Sequence, residues 1–317
     1  MAKKKGCLGC STPVAIILAV VLLAVVVVGL LAGPIGKAFG VSGLPEWMSL
    51  QTPAPSLPAE GVFSVGGFEI TNTILATWIT MLVLILLFVI YRKKLSLIPG
   101  RFQTMMEAIL GYVYDICESV TGQRSVARKF FPFVCTIFLF VGFNSWLSLI
   151  PGYGSITIVN MEGHTVELIR GAGTDLNTTL ALAAITFVIA EIVSFKEQGL
   201  KYLLKYFNFS GLIGAFKQLF KGKIGPFFMD LIVGIILFIT GIIELISEIS
   251  RLISLTFRLF GNMTAGEILL VSIMFMVPYL VPTVFYGLEV LVGFIQALVF
   301  ASLAIVYISL GYGTEAE

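Results

Sequence analysis

Residues 242–267 read IIELISEISRLISLTFRLFGNMTAGE. They lie inside an apolar run from 226 to 276 and carry Glu244, Glu248, Arg251, Arg258 and Glu267, with Asp230 upstream. Two properties of this stretch decide the fold. A single upright membrane crossing takes about 20 residues, so the run must tilt, break or lie partly flat. It also keeps ionisable side chains where hydrocarbon penalises them, which marks a path for an ion or substrate by default.

The rest of the chain agrees. Of 317 residues, 58% are hydrophobic and 12% charged, whereas soluble domains carry about 25% charged residues. Mean hydropathy is +1.01. Disorder, collagen, a disulfide-stapled secreted domain and a soluble enzyme with one ordinary core are excluded. Further apolar runs occupy 14–32, 70–91, 131–150, 177–195 and 282–311. The expected architecture is an all-α polytopic membrane protein of about six hydrophobic helices, ending in a long, tilted helical hairpin. Three units follow. Residues 1–69 hold an additional N-terminal transmembrane helix and an extracytoplasmic loop. Residues 70–225 hold transmembrane helices, an amphipathic helix and an external hairpin. Residues 226–317 form the ion-translocating hairpin. Lys3, Lys4 and Lys5 before Val14–Leu31 imitate a signal peptide, but the uncharged run is long enough to span and reads as a retained first helix.

Positive charge gives the orientation. Lys3, Lys4 and Lys5 precede the first run. Arg92, Lys93, Lys94, Arg101, Arg124, Arg128 and Lys129 fill the connection 92–129. Lys196, Lys201, Lys205, Lys217, Lys221 and Lys223 fill the connection 196–225. The alternate connections, 33–69 and 151–176, hold only Lys37 and Arg170. Six crossings then put both termini in the cytoplasm. Segment 33–69 is Pro- and Gly-rich and reads as a loop. Phe102, Met106, Ile109, Val113, Ile116 and Val120 recur at helical spacing, which predicts an amphipathic helix on the membrane surface or against a partner. Residues 155–169 alternate around Glu162–Gly163 and predict a short external β-hairpin, with His164 a solvated turn residue.

Within the hairpin unit, Glu244, Arg251 and Arg258 are spaced by sevens and drift only about 20° per step around a helix, so they form one stripe. Glu267 lies about 13 Å beyond Arg258 on roughly the opposite face. Pro278 and Pro282 place a turn near 277–282. An antiparallel fold about 277 sets Arg258 at the depth of Gln296 and Glu267 near Glu289. Glu289, Gln296 and Tyr307 share one face of the last helix. Carboxyl groups in such pockets relay protons near neutral pH. Guanidinium does not deprotonate, so Arg258 presents a fixed positive charge: the chemistry of a gate.

Other chemistries find no support. Cys7 and Cys10 form a C-x-x-C without a second ligand pair, and His164 is the sole histidine, so no metal site is expected. Cys117 and Cys135 read as packing residues. No P-loop pattern occurs, and neither a cofactor nor a nucleic-acid partner is expected.

The run SLTFRLFGNMTAGE, Ser254 to Glu267, resembles the signature of subunit a of F-type ATP synthases. Supporting resemblances are GTDLNTTLAL with Asp175 and Asn177, IELISEISRLISLTFRLFGN with Glu244, and FIQALVFASLAIVYI with Gln296. The resemblance covers roughly residues 70–311. It implies that Arg258 is like the arginine facing the carboxylates of the rotating c-ring. It implies that Asn262, Glu267, Glu289 and Gln296 match positions of proton access from outside. Glu244, with Ser247, Glu248 and Arg251, matches the cytoplasmic exit. Asn144-Ser-Trp-Leu-Ser-Leu-Ile-Pro151 resembles the family's N-x-x-G-L-x-P pattern, with Ser145 at the asparagine position and Asn144 a candidate for the outer half-channel. Glu191 and Lys196 read as a helix end.

The expected function is therefore that of a non-catalytic, proton-translocating stator subunit, with two offset half-channels separated by Arg258. The partners implied are the c-ring, b-type peripheral-stalk subunits and the lipid bilayer. The expected home is a bacterial cell membrane, with a thylakoid-type membrane as the alternative. The rival reading, an ion-coupled secondary transporter, would favour internal repeats with broken helices in matching halves; no repeat is visible, and the polar residues crowd into the last third.

Overall fold

The computed structural model describes residues 12–34, 36, 59–150, 152–159, 165–199, 202, 206 and 224–312. Lys3–Lys5, Cys7, Cys10, Lys37, Glu162, His164 and the lysines at 201, 205, 217, 221 and 223 lie outside the described residues. The helices are α1 (Thr12–Ala32), α2 (Asn72–Lys93), α3 (Arg101–Thr121), α4 (Arg124–Ser148), α5 (Leu176–Gln198), α6 (Ile224–Met276) and α7 (Leu280–Gly311). Six of them, all but α3, are long and apolar enough to cross a membrane.

Local chemistry explains the boundaries. The Thr71 hydroxyl accepts from the Ile74 amide at the start of α2, and the Asp175 carboxylate accepts from the Asn177 amide at the start of α5. Such caps satisfy amides that the first helical turn leaves unpaired. Gly122 ends α3 with φ +64°, a left-handed conformation that costs glycine little. The sequence pattern starts the third crossing at 131, but α4 starts at Arg124 and runs through Pro132. Proline lacks the amide that would bond the Arg128 carbonyl one turn back; one turn further on, the Thr136 hydroxyl donates to the Pro132 carbonyl at 2.7 Å.

Helix α6 is one unbroken element of 53 residues. At 1.5 Å per residue it measures about 80 Å, against a hydrocarbon core of about 30 Å. Breaking is thereby ruled out and a steep tilt remains. Its one proline, Pro226, sits in the first turn, where proline is tolerated. Pro278 disfavours helix at Val277, and Tyr279 turns the chain with φ +77° before α7 begins.

The core forms around α7. Phe300, Ile305 and Ile308 are almost wholly buried, beside Val126 and Val134 of α4 and Leu255 and Leu259 of α6. Apolar burial drives helix association weakly in lipid, so close van der Waals packing and small residues do most of the work. Ala297, Ala301 and Ala304 supply that on α7, and a Cβ at Gly142 of α4 would lie 3.5 Å from the Ala297 methyl. The amphipathic helix α3 takes Val113 and Cys117 into this same core. Its apolar face is thus partnered within the chain, against α4 and α7. Burial raises the Cys117 thiol to about 11, which keeps it an unreactive packing group.

Two small hairpins lie beside the bundle. β1 (Gly61–Val65) pairs antiparallel with β2 (Phe68–Thr71) across Gly66 and Gly67, both at positive φ. The Pro/Gly composition of 33–69 concealed this hairpin, although Gly-Gly between alternating residues is its proper signal. β3 (Thr157–Val159) pairs with β4 (Thr165–Glu167), as the alternation predicts. Helix α1 stands mostly exposed, but Gly29 and Gly33 bury against the α6–α7 turn. A Cβ at Gly29 would sit 2.6 Å from the Pro278 carbonyl oxygen, and one at Gly33 would collide with that of Met276. A G-x-x-x-G surface of this kind lets backbones touch.

Candidate functional site

Arg258 lies on the exposed side of α6, and no hydrogen bond or ion pair joins it to another group among the described residues. Ser250, Ser254, Gly261 and Ala265 share exposure with it at helical spacing. The result is a smooth track of small residues carrying one cation. A cavity lies towards each end of that track.

The outer cavity encloses about 340 Å³ and is lined by Glu267, Glu289, Arg170, Glu167, Tyr153 and Tyr286, among others. Glu267 and Glu289 thus share one pocket. Arg170 is 5% exposed and forks onto Glu267, with Nε 3.2 Å from Oε1 and Nη2 3.2 Å from Oε2. A planar guanidinium suits that bidentate geometry. Glu289 is buried, and its carboxylate occupies the space a side chain at position 266 would need; only glycine leaves room for it. Burial and the neighbouring Glu267 push the Glu167 carboxyl above its ordinary value, and Arg170 pulls it back down. Burial also pushes the Tyr153 phenol to about 12.

The sequence places Gln296 at the depth of Arg258 and Glu267 near Glu289. In the structure the Gln296 Oε1 accepts from Asn262 Nδ2 at 2.7 Å, one helical turn further along α6 than Arg258. Gly266, next to Glu267, meets the Glu289 carboxylate, as the antiparallel fold about 277 expects. Gln296 Nε2, Asn144 Oδ1, Thr264 Oγ1 and Tyr153 Oη are buried without a hydrogen-bond partner among the described residues. Such atoms are characteristically satisfied by water. Three of them lie at neighbouring levels: Ser145 Oγ, next to Asn144, reaches Met263 Sδ at 3.3 Å, next to Thr264, and Ser145 packs on Gly293, one turn from Gln296.

The inner cavity encloses about 300 Å³ and is lined by Glu244, Glu248, Arg251, Tyr307, Glu191 and Tyr202, among others. Arg251 Nη1 donates to Glu248 Oε1 at 2.8 Å, and its guanidinium lies 5.6 Å from the Tyr307 ring centroid. Cation–π contact of this kind anchors a guanidinium. Glu191, which the sequence assigns to a helix end, accepts from the Tyr202 hydroxyl at 3.0 Å and faces this cavity. Burial raises the Tyr202 phenol, so the hydroxyl remains a donor. Ser247 lines an adjoining groove with Ser250, Arg251 and Ser254. Asp175 lies elsewhere. It caps α5 and accepts from the Thr73 hydroxyl of α2 at 3.0 Å, tying two helix starts together. The Asn177 side chain is exposed.

The ATP synthase A chain family matches residues 74–309 of this sequence. The chain belongs to that family. Relatives described as ATP synthase subunit a share the region. That of Geotalea daltonii (strain DSM 22248 / JCM 15807 / FRC-32) is 34% identical over 237 residues, which are 75% of this chain and 86% of the relative. That of Sulfurihydrogenibium sp. (strain YO3AOP1) is 32% identical over 240 residues, 75% of this chain and 96% of the relative. Arg258, the outer cavity and all of the inner cavity's lining but Leu310 and Gly311 fall inside the ATP synthase A chain match, whereas α1, β1 and β2 lie before it.

Sequence reasoning missed Arg170, Glu167, Glu191 and Tyr202. Arg170 carried a usable signal, because an isolated cation is conspicuous on the side of the membrane with few positive charges. Glu191 and Tyr202 carried none, since their meeting depends on how the chain turns after α5.

Proposed function

We propose that this chain is the proton-translocating stator subunit of an F-type ATP synthase membrane sector. It works against a c-ring, is held by b-type peripheral-stalk subunits, and performs no bond-making chemistry itself. The observation that carries the reading is the exposed Arg258, without an ion-pair or hydrogen-bond partner among the described residues, on a track of small residues with a carboxylate-lined cavity towards each end. A cation so placed, in a segment that must lie in hydrocarbon, calls for a counter-charge from another subunit.

Protons enter the outer cavity at Glu267 and Glu289 and neutralise a rotor carboxylate, which then faces lipid at low cost. After nearly a full turn the carboxylate reaches the inner cavity near Glu244, Glu248 and Arg251 and releases its proton towards the cytoplasm. Between the two cavities Arg258 favours the ionised carboxylate and repels a proton attempting the direct route. The steep tilt of α6 suits contact with a curved rotor. Both termini are cytoplasmic in this account, and the membrane is a bacterial cell membrane. The docking of the α1 end on the α6–α7 turn supports placing both on one side of the membrane, and the scarcity of Lys and Arg in 33–69 and 151–176 supports that side being the outside.

The test is reconstitution in liposomes. Proton flux requires co-reconstituted c-ring if the reading is right. Substrate-coupled transport by the lone chain would instead support a secondary transporter.

A further inference from the structure

Glu267 and Glu289 reach the outer cavity from membrane helices. A third carboxylate reaches it from the external hairpin. Glu167 ends β4, opposite Thr157 in the ladder. The two-residue period of a strand turns Val166 inward, where it is buried, and sends Glu167 to the other face. There it packs beside Gly154, where a Cβ would lie 3.3 Å from the carboxylate, and lines the cavity with Arg170, Glu267 and Glu289.

The surrounding charges differ in a way that gives the acids different roles. Glu267 is held by the Arg170 fork. Glu289 is 7% exposed, and no hydrogen bond or ion pair holds it among the described residues. Burial, with the charges of Glu267 and Glu60 outweighing that of Arg170, favours the protonated form of Glu167. Tyr153 and Tyr286 complete the ionisable lining.

We propose that Glu167 is the outermost proton acceptor of this chain's path. It takes a proton from external hydronium, which leaves as water. It then gives that proton to the Glu289 carboxylate across the cavity, by way of water, and returns to its ionised form. The Arg170–Glu267 pair lines the passage beside them. This inference rests on the outer cavity being the proton entrance.

The experiment uses vesicles carrying the whole complex stripped of its soluble sector, with passive proton uptake measured from mildly acidic to mildly alkaline pH. Glu167→Gln is expected to slow uptake several-fold and flatten its pH dependence, and Glu167→Asp to restore most of the rate. Glu289→Gln is the control for the entrance itself. Slow uptake in Glu289→Gln with wild-type rate and pH profile in Glu167→Gln overturns the role of Glu167 alone. Wild-type uptake in both overturns the entrance. Should Glu167→Gln fail to assemble, the pH midpoint of uptake in Glu167→Asp decides: a shift supports the relay, and an unchanged midpoint contradicts it.

Discussion

Arg258 and Gly266 illustrate how single residues set this site. Arg258 carries charge at every accessible pH, so its effect is electrostatic and constant. Gly266 acts by what it lacks, because the Glu289 carboxylate fills the space of its missing side chain. Gly266→Val is therefore expected to displace Glu289 and cut passive proton conductance at least several-fold in stripped vesicles. Gly261 faces open space instead. Gly261→Leu is expected to leave the subunit's folding and assembly intact while slowing ATP-driven pumping, since the added bulk projects from the same exposed track as Arg258. Normal pumping by Gly261→Leu would remove that track from the rotor contact. Arg170→Gln leaves Glu267 without its fork, and an unsatisfied, half-buried charged group costs about 1–3 kcal/mol. Arg170→Gln combined with Glu267→Gln should recover part of that loss in the thermal midpoint of the detergent-solubilised complex. The sequence showed Arg258, Glu267 and Glu289 clearly, because charge in an apolar run is conspicuous. It did not show Gly266 at all, because a missing side chain becomes meaningful only once its neighbour is known.

At the scale of elements, α1 and the external hairpin are the parts with the most distinct behaviour. The α6–α7 turn holds Tyr279 at φ +77°, an uncommon conformation for a non-glycine residue, and the end of α1 packs on it. Gly33→Leu would push side-chain atoms into the Met276 carbonyl, and overpacking of this kind costs about 1–3 kcal/mol. It should lower the thermal midpoint of the complex more than Val20→Leu, which lies on the exposed face of α1; equal midpoints would show that α1 does not brace the turn. For the hairpin, the sign of the pH effect follows from Glu167. Its folded value is raised, so its contribution to stability is full below the unfolded carboxylate value of about 4.3. That contribution is lost as pH rises through the folded value. Hydrogen exchange in β4, corrected for intrinsic rates, should show greater protection at mildly acidic pH, and Glu167→Gln should abolish the difference. Element positions were largely legible: apolar length gave the spanning helices, and alternation gave β3 and β4. The start of α4 and the β1–β2 hairpin were not, because Arg124, Arg128 and Lys129 precede the apolar run yet belong to the helix, and Gly66–Gly67 was read as loop where the structure makes a tight turn.

For the whole molecule, the arrangement joins two carboxylate-lined cavities by a helix too long to stand upright. From Glu244 to Arg258 is about 21 Å along α6, and from Arg258 to Glu267 about 13 Å, so the cation lies between the carboxylates of the two cavities. On the proposed path neither cavity needs to cross the membrane. The antiparallel meeting of α6 and α7 was legible from the spacing of polar residues. The Asn262–Gln296 hydrogen bond was not, because it depends on where two side chains reach. The most direct measurement follows Arg258→Ala in vesicles, recording ATP-driven proton pumping with the intact complex and passive proton flux after the soluble sector is stripped. The account predicts that pumping is lost while passive flux persists. Pumping at the wild-type rate would contradict it.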